Sequence, residues 1–378
     1  MKRLLFAIVA LAMSAATFAQ QMGREEVLSK AVAILNNEHY HRGLSYFVSG
    51  DYDNAAENFL SAFDTSTLND DIISYLLFIG VYDFELLRDK LTDRIAYYLT
   101  LDLGPDLEVR SICTYRIAQL YSILGSACEN HGRFGQAIEA YRCDGSEVYD
   151  PGSLYESVAE CYANLNLFDE AIVNIDKAIS VEPDKIRYQR NKGDILYSKG
   201  DLDGAADVYA SIIKNNIVGS QILCQYGNIL CQQGDIKGGI KEFNKAIVCD
   251  AGYGRAILAR GLAYQKLGEK IAALNDLNKL LEYDDYFYRQ YALIALGRSD
   301  EVDISVNARI IDNDSDAYYH AAILCTALGN VEDAISYLRL AAENSGLMFF
   351  VYCADPLLAS LRATKEYKEF IGELSRAK

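Results

Sequence analysis

The most constraining feature of this chain is a period of 34 residues. Gly193, Gly227 and Gly261 stand 34 apart, with Gly125 and Ala159 preceding them in register. A second series at that spacing runs Gly132, Asn166, Gly200, Gly234 and Gly268. A third runs Ala137, Ala171, Ala205, Gly239 and Ala273, and a fourth Tyr141, Ile175, Tyr209, Phe243 and Leu277. Series held in register over residues 118–287 mean one supersecondary unit used repeatedly. Leu154–Pro183 shows what the unit is. It holds two apolar-periodic segments, split near Asn166. In the first, Tyr155, Val158, Ala159 and Tyr162 recur at three- and four-residue spacing and share one helix face. In the second, Ala171, Ile172, Ile175, Ala178 and Ile179 do the same. Neither helix can bury its stripe alone, so the pair packs as an antiparallel hairpin.

Each series has a physical reason. Small residues let the two helices approach closely, and the large residue of the fourth series fills the space beside that contact. Glycine in the second series suits the left-handed turn that ends the first helix. This pattern resembles the tetratricopeptide repeat, a helix–turn–helix unit of the same period. That family has small residues at positions 8 and 20, an aromatic or aliphatic residue at 24, and often a small residue at 27 and proline at 32. Ala159, Ala171, Ile175, Ala178 and Pro183 fill those positions here. Asp144 and Ile212 depart from the pattern at 27, and Lys192 and Arg260 at the normally apolar position 7. The resemblance implies an all-α, right-handed superhelical solenoid of helix hairpins, with an irregular helical insert and a C-terminal capping helix.

Taken in order, residues 1–19 read as a signal peptide. Lys2 and Arg3 precede the apolar run Leu4–Ala16, and Thr17-Phe18-Ala19 supplies small residues for cleavage after Ala19. The run is shorter than the ~20 residues that span a bilayer. Export to the periplasm or the medium is expected, with no stable membrane insertion after cleavage. Residues 20–69 read as an N-terminal helix and a first repeat, with Gly43, Gly50, Ala55, Phe59 and Ala62 in register. Residues 70–117 are helical by periodicity but lack the small-residue signature, and read as the insert. Five regular repeats fill 118–287. Residues 288–314 read as a degenerate repeat with helices at Tyr288–Leu296 and Val302–Ile311. Residues 315–348 read as a final repeat, and 349–378 as the cap.

Composition excludes several functions. The formal charge is −17, becoming −19 once Lys2 and Arg3 are removed, and such a surface repels phosphate backbones and anionic headgroups. Nucleic acid is therefore not an expected partner. The nine cysteines are an odd number, and most fall inside expected helices, where a thiol behaves as a small buried hydrophobe. His39 and His41 lie two apart and point to different sides of a helix, so they do not form a metal pair. His131 falls in a turn, where a solvated role is expected, and His320 beside packed repeat positions. No phosphate-binding glycine loop, nucleophile elbow or acid–base pair stands out, so no cofactor, metal or enzymatic activity is expected. The aromatic run Tyr283–Tyr291 reads as packing across a damaged repeat.

The expected function is a non-enzymatic scaffold that binds another protein or peptide. The family register places positions 2, 5, 9, 12 and 13 on the concave face. Those positions supply Arg187, Arg190, Asp194 and Tyr197 in residues 186–219, Asn228 and Gln232 in 220–253, and Arg255, Gln265 and Lys266 in 254–287. Four cations gather there with one acid on an otherwise acidic chain. The arrangement resembles in part the family members that clamp a terminal carboxylate, although Asp194 and Ala259 stand where such clamps use asparagine and arginine. An acidic or carboxylate-ended peptide is the expected ligand, its backbone held by Asn228 and its charge by Arg190 and Arg255. The alternative is an envelope glycan-binding or nutrient-uptake subunit. The chain lacks the tryptophan platforms and the lipid-acceptor cysteine near the cleavage site that such proteins use.

Overall fold

The computed structural model describes residues 37–65, 69–101, 107–143, 151–215, 218–304, 315–344 and 353–377. The expected signal peptide, the helix at 20–35 and most of the segment Val302–Ile311 lie outside them. Among the described residues all regular structure is helical. The chain forms two compact units that divide between Cys143 and Pro151, except that residues 132–135 group with the second.

The first unit holds α1 (Glu38–Ser49), α2 (Tyr52–Thr65), α3 (Asn69–Tyr82), α4 (Phe84–Thr100), α5 (Leu107–Asn130) and α6 (Phe134–Cys143). The Asn37 side chain caps α1 by accepting the Tyr40 amide at 3.0 Å. Gly50 ends α1 at φ 83°, in the left-handed region. The hairpin of α1 and α2 closes on a glycine–aromatic contact, because a Cβ on Gly43 would lie 2.7 Å from the Phe59 ring. Phe59 stacks in turn on Tyr75 of α3, with ring centroids 5.0 Å apart. Residues 70–117 form α3, α4 and the start of α5, which runs unbroken through position 117 into the first regular repeat. The α3–α4 hairpin has its own small residue. A Cβ on Gly80 would lie 2.6 Å from Leu87. His131 is exposed as expected, yet it is also used: its Nε2–H donates to the Gly80 carbonyl at 2.7 Å.

The second unit stacks α7 (Pro151–Asn164), α8 (Phe168–Val181), α9 (Ile186–Lys199), α10 (Leu202–Asn215), α11 (Ser220–Gln232), α12 (Ile236–Cys249), α13 (Gly254–Leu267) and α14 (Lys270–Leu281) as successive hairpins. Then come α15 (Tyr286–Ala295), α16 (Ser315–Ala327), α17 (Val331–Asn344), the one-turn α18 (Ala359–Arg362) and α19 (Lys365–Ala377). In the expected degenerate repeat, α15 is present, but Val302 and Asp303 are not helical. The fourth series does its work here. A Cβ on Gly193 would lie 2.6 Å from the Tyr209 ring, and one on Gly227 2.5 Å from the Phe243 ring. The aromatic therefore covers the glycine itself rather than sitting beside it. The two charged departures at position 7 each find an acid, one on the preceding hairpin and one across its own. Lys192 pairs with Asp176 at 2.7 Å, and Arg260 chelates Asp276 at 2.8 and 2.6 Å. The helix α19 closes the end of the stack on α17, where Phe370 is buried and Arg339 pairs with Glu373 at 2.7 Å.

Candidate functional site

The concave positions of the second unit fall into two groups. On α9, the polar groups are taken up locally. The Arg187 guanidinium pairs with Glu156 at 2.5 Å and also reaches Ser153 at 3.2 Å. Asp194 is buried, and the Tyr209 hydroxyl donates to its Oδ1 at 2.5 Å. Burial pushes the Asp194 carboxyl up to about 6, against the opposing pull of the Tyr209 hydroxyl, Arg190 and Arg255. Arg190 is half-buried, near both Asp194 and Glu156. Tyr197 is buried and accepts a hydrogen bond from Gln232 Nε2. Of the four residues expected to face a ligand on this helix, Asp194 and Tyr197 are thus interior, and Arg187 is held by an acid of the preceding repeat.

On α11 and α13 the arrangement differs. A cavity of about 580 Å³ opens there. Asn228, Cys231 and Gln232 of α11 line one wall, and Arg255, Leu258, Leu262 and Lys266 of α13 form the floor. Phe287, Tyr288 and Tyr291 of α15, with Tyr319, His320 and Ile323 of α16, form the far wall. The aromatic run Tyr283–Tyr291 is therefore both packing and lining. Phe287 is buried and stacks on His320 with ring centroids 4.1 Å apart, while Tyr288 fills the space that Gly254 leaves open. Asn228 is only 8% exposed, and its side-chain amide has no hydrogen-bond partner among the described residues. Lys266 is exposed and pairs with no carboxylate among them. Gln265 spends its amide on the Ala295 carbonyl at 2.9 Å.

The last wall comes from a part of the chain that the periodicity does not reach. Residues 353–362 cross the concave face as a strap. Asp355 is 4% exposed, and Arg255 Nη2 donates to its Oδ2 at 2.7 Å. The Tyr319 hydroxyl donates to the same oxygen, and the Leu357 amide donates to Oδ1 at 2.8 Å. Arg362 ties the strap to itself, donating to the carbonyls of Cys353 at 2.9 Å and Asp355 at 2.7 Å. Burial pulls the Arg255 pKa down, but Asp355 together with Tyr319, Cys224 and Tyr253 outweighs it and raises the group above its ordinary value. Arg255, expected to hold a ligand's charge, already holds one supplied by its own chain.

The described residues contain no cluster of three or more histidine, cysteine or acidic side chains able to hold a metal ion. All nine cysteines are free, and burial pushes the Cys224 thiol up to about 12, away from reactivity. No helix among the described residues is long and apolar enough to cross a membrane. Fold and site together define a helical-hairpin repeat scaffold whose concave face holds a partly filled cavity.

Comparison with known sequences makes the family explicit. Tetratricopeptide-repeat models match residues 159–217, 254–286 and 315–345. Those segments are tetratricopeptide repeats, and arrays of this kind serve as protein-interaction scaffolds. A curated relative, the BBSome complex member BBS4 of Bos taurus, is 24% identical over 170 residues. That match covers 42% of this chain and 33% of the relative, so the chain spans about a third of that protein's length. Among solved structures, a MamA protein is similar at 23% identity and a TM-score of 0.39, covering 44% of this chain and 90% of that one. A tetratricopeptide repeat protein from Parabacteroides merdae is similar at 14% identity and a TM-score of 0.44, covering 68% and 98%.

Proposed function

We propose that this protein is an exported, non-enzymatic scaffold that holds a segment of a partner polypeptide on the concave face of its second unit, in the cavity between α11, α13 and α15. The observation that carries the reading is Asn228. Its side-chain amide borders the cavity and bonds to no described residue, so a ligand backbone laid along the cavity can meet both its donor and its acceptor. Lys266 at the rim adds an unpaired cation, and Leu258, Leu262 and Ile323 offer an apolar bed. A segment with a side-chain or terminal carboxylate near Lys266 matches this lining. The charge is held at α13 rather than by the α9 groups, of which Arg187, Asp194 and Tyr197 are already engaged and Arg190 faces the acids Asp194 and Glu156.

Export rests on the basic, apolar and small-residue succession of residues 1–19. Intact-mass analysis of the exported protein should give an N-terminus at Gln20, and a full-length chain retained in membranes would refute export. The groove is tested by crosslinking capture from the native cell envelope, identification of the captured protein, and titration with peptides tiled along it. Binding should weaken as salt rises, because an exposed charge is screened. Asn228→Leu with Lys266→Glu should reduce affinity at least ten-fold while the circular dichroism spectrum is unchanged. Wild-type affinity in that folded variant would place the ligand elsewhere.

A further inference from the structure

The strap is built in two parts. Leu358 and Leu361 are fully buried in the core formed with α16, α17 and α19, which fixes residues 358–362. Cys353, Ala354, Pro356 and Leu357 are only half-buried, and Asp355 is the one member of that part that is interior. Ala354 rests against the cluster that contains Tyr197 and Tyr209, so this part reaches over the concave surface of the neighbouring repeats. Its hold on the groove is polar: one carboxylate bridging Arg255 and Tyr319, 100 residues apart from Arg255 in sequence. In chemistry it is a short peptide, an aspartate followed by proline and leucines, lying where a partner's segment would lie.

We propose that residues 353–357 are an intramolecular ligand of the groove, and that the partner segment is of the same kind, an aspartate or glutamate followed by apolar residues, which takes Arg255 from Asp355 and displaces the front of the strap. The inference rests on the concave-face reading above and names its partner chemistry. It explains why the concave arginine is neutralised by its own chain while Asn228 and Lys266, which line the same cavity, are left open. The buried leucines keep the displaced strap tethered, so release is local and reversible. The self-bound form excludes segments that carry no acid able to compete for Arg255.

The probe is a fluorescein-labelled peptide matching residues 353–362, with serine replacing its cysteine, titrated by anisotropy against the full chain. Wild type, with its own strap seated, should bind it weakly. Asp355→Asn should bind it at least ten-fold more tightly, and Leu357→Ala, which loosens the strap while leaving every groove residue intact, should show a smaller gain. A probe with asparagine in place of its aspartate should show no gain, and adding Arg255→Met to Asp355→Asn should abolish it. If Asp355→Asn fails to fold by circular dichroism, Leu357→Ala decides. The proposal falls if the folded variants bind the probe no better than wild type, or if the asparagine probe gains equally. Such a failure, with partner binding still lost in Asn228→Leu/Lys266→Glu, would remove self-occupancy and leave the groove reading standing.

Discussion

The helices α9 and α13 occupy equivalent places two repeats apart, and both bring arginine to the concave face. On α9 three of the polar groups are consumed by neighbours: Arg187 by Glu156 of the preceding repeat, Asp194 by Tyr209 of its own hairpin, and Tyr197 by Gln232 of the following repeat. On α13 the neighbour is a distant strap, and the polar groups beside it border empty space. Equivalent register positions are therefore closed by packing in one repeat and border a cavity in another. What separates them is whether the adjoining repeat supplies a complementary group at the right height. Charge on a concave face is not by itself availability.

Four substitutions probe this contrast. The largest effect is expected at Gly227, next to Asn228 on α11. Its missing Cβ is already occupied by the Phe243 ring, so Gly227→Leu should overpack the hairpin and cost about 1–3 kcal/mol. Chemical denaturation should show the loss, and repeat coupling should confine its first appearance to the neighbouring hairpins by hydrogen exchange. An unchanged midpoint would mean that the α11–α12 contact does not shape the cavity.

Next is Arg187→Gln, which leaves the buried Glu156 carboxylate without its cation. Burial already raises the Glu156 pKa, with Arg187 the leading opposing influence. The variant should lose about 1 kcal/mol at neutral pH, a modest figure because Arg187 is half-exposed. The deficit should shrink as acid protonates Glu156. A loss independent of pH would mean that α9 is not structured by this pair.

Asp194→Asn should move stability the other way. A carboxyl raised from 3.8 in the unfolded chain to about 6 in the folded one destabilises the fold when ionised. Its penalty is complete above about pH 6 and fades as pH falls toward 4. Asparagine keeps an acceptor for Tyr209 without the charge, so the variant should gain about 1–2 kcal/mol at pH 7.5 and little at pH 4.5. Thermal melts at the two pH values decide. An equal gain at both would mean that the buried charge is not what distinguishes α9.

The smallest effect on stability belongs to Asn228→Leu. Its amide makes no bond to lose, so the melting temperature should correspond to a change within ~0.5 kcal/mol, while partner binding falls. A large loss would move α11 into the structural class with α9.

The repeat register was legible because hairpin packing is local. A glycine or alanine, a left-handed turn and a large residue at fixed offsets must recur whenever the same two helices meet. Gly200, Gly234 and Gly268 all adopt positive φ, and Asn166 does so at φ 59° as the one non-glycine member of its series. The glycine at Gly80 inside residues 70–117 was harder to read, because its partner Leu87 lies only seven residues on and follows no 34-residue offset. The register also brought Asn228, Gln232, Arg255, Gln265 and Lys266 to one face, and these all border or adjoin one cavity. It could not say which were free.

Sequence alone determined the helical hairpins, their order and the face each concave residue occupies, since those follow from periodicities of 3.6 and 34 that a few neighbouring side chains enforce. The tertiary structure decided which of those residues are spent. Asp355 meets Arg255 across 100 residues, and Tyr319 completes the bridge. Neither belongs to any repeating series, because an ion pair between the end of an array and its middle depends on how many hairpins intervene and how they stack, which no local pattern records.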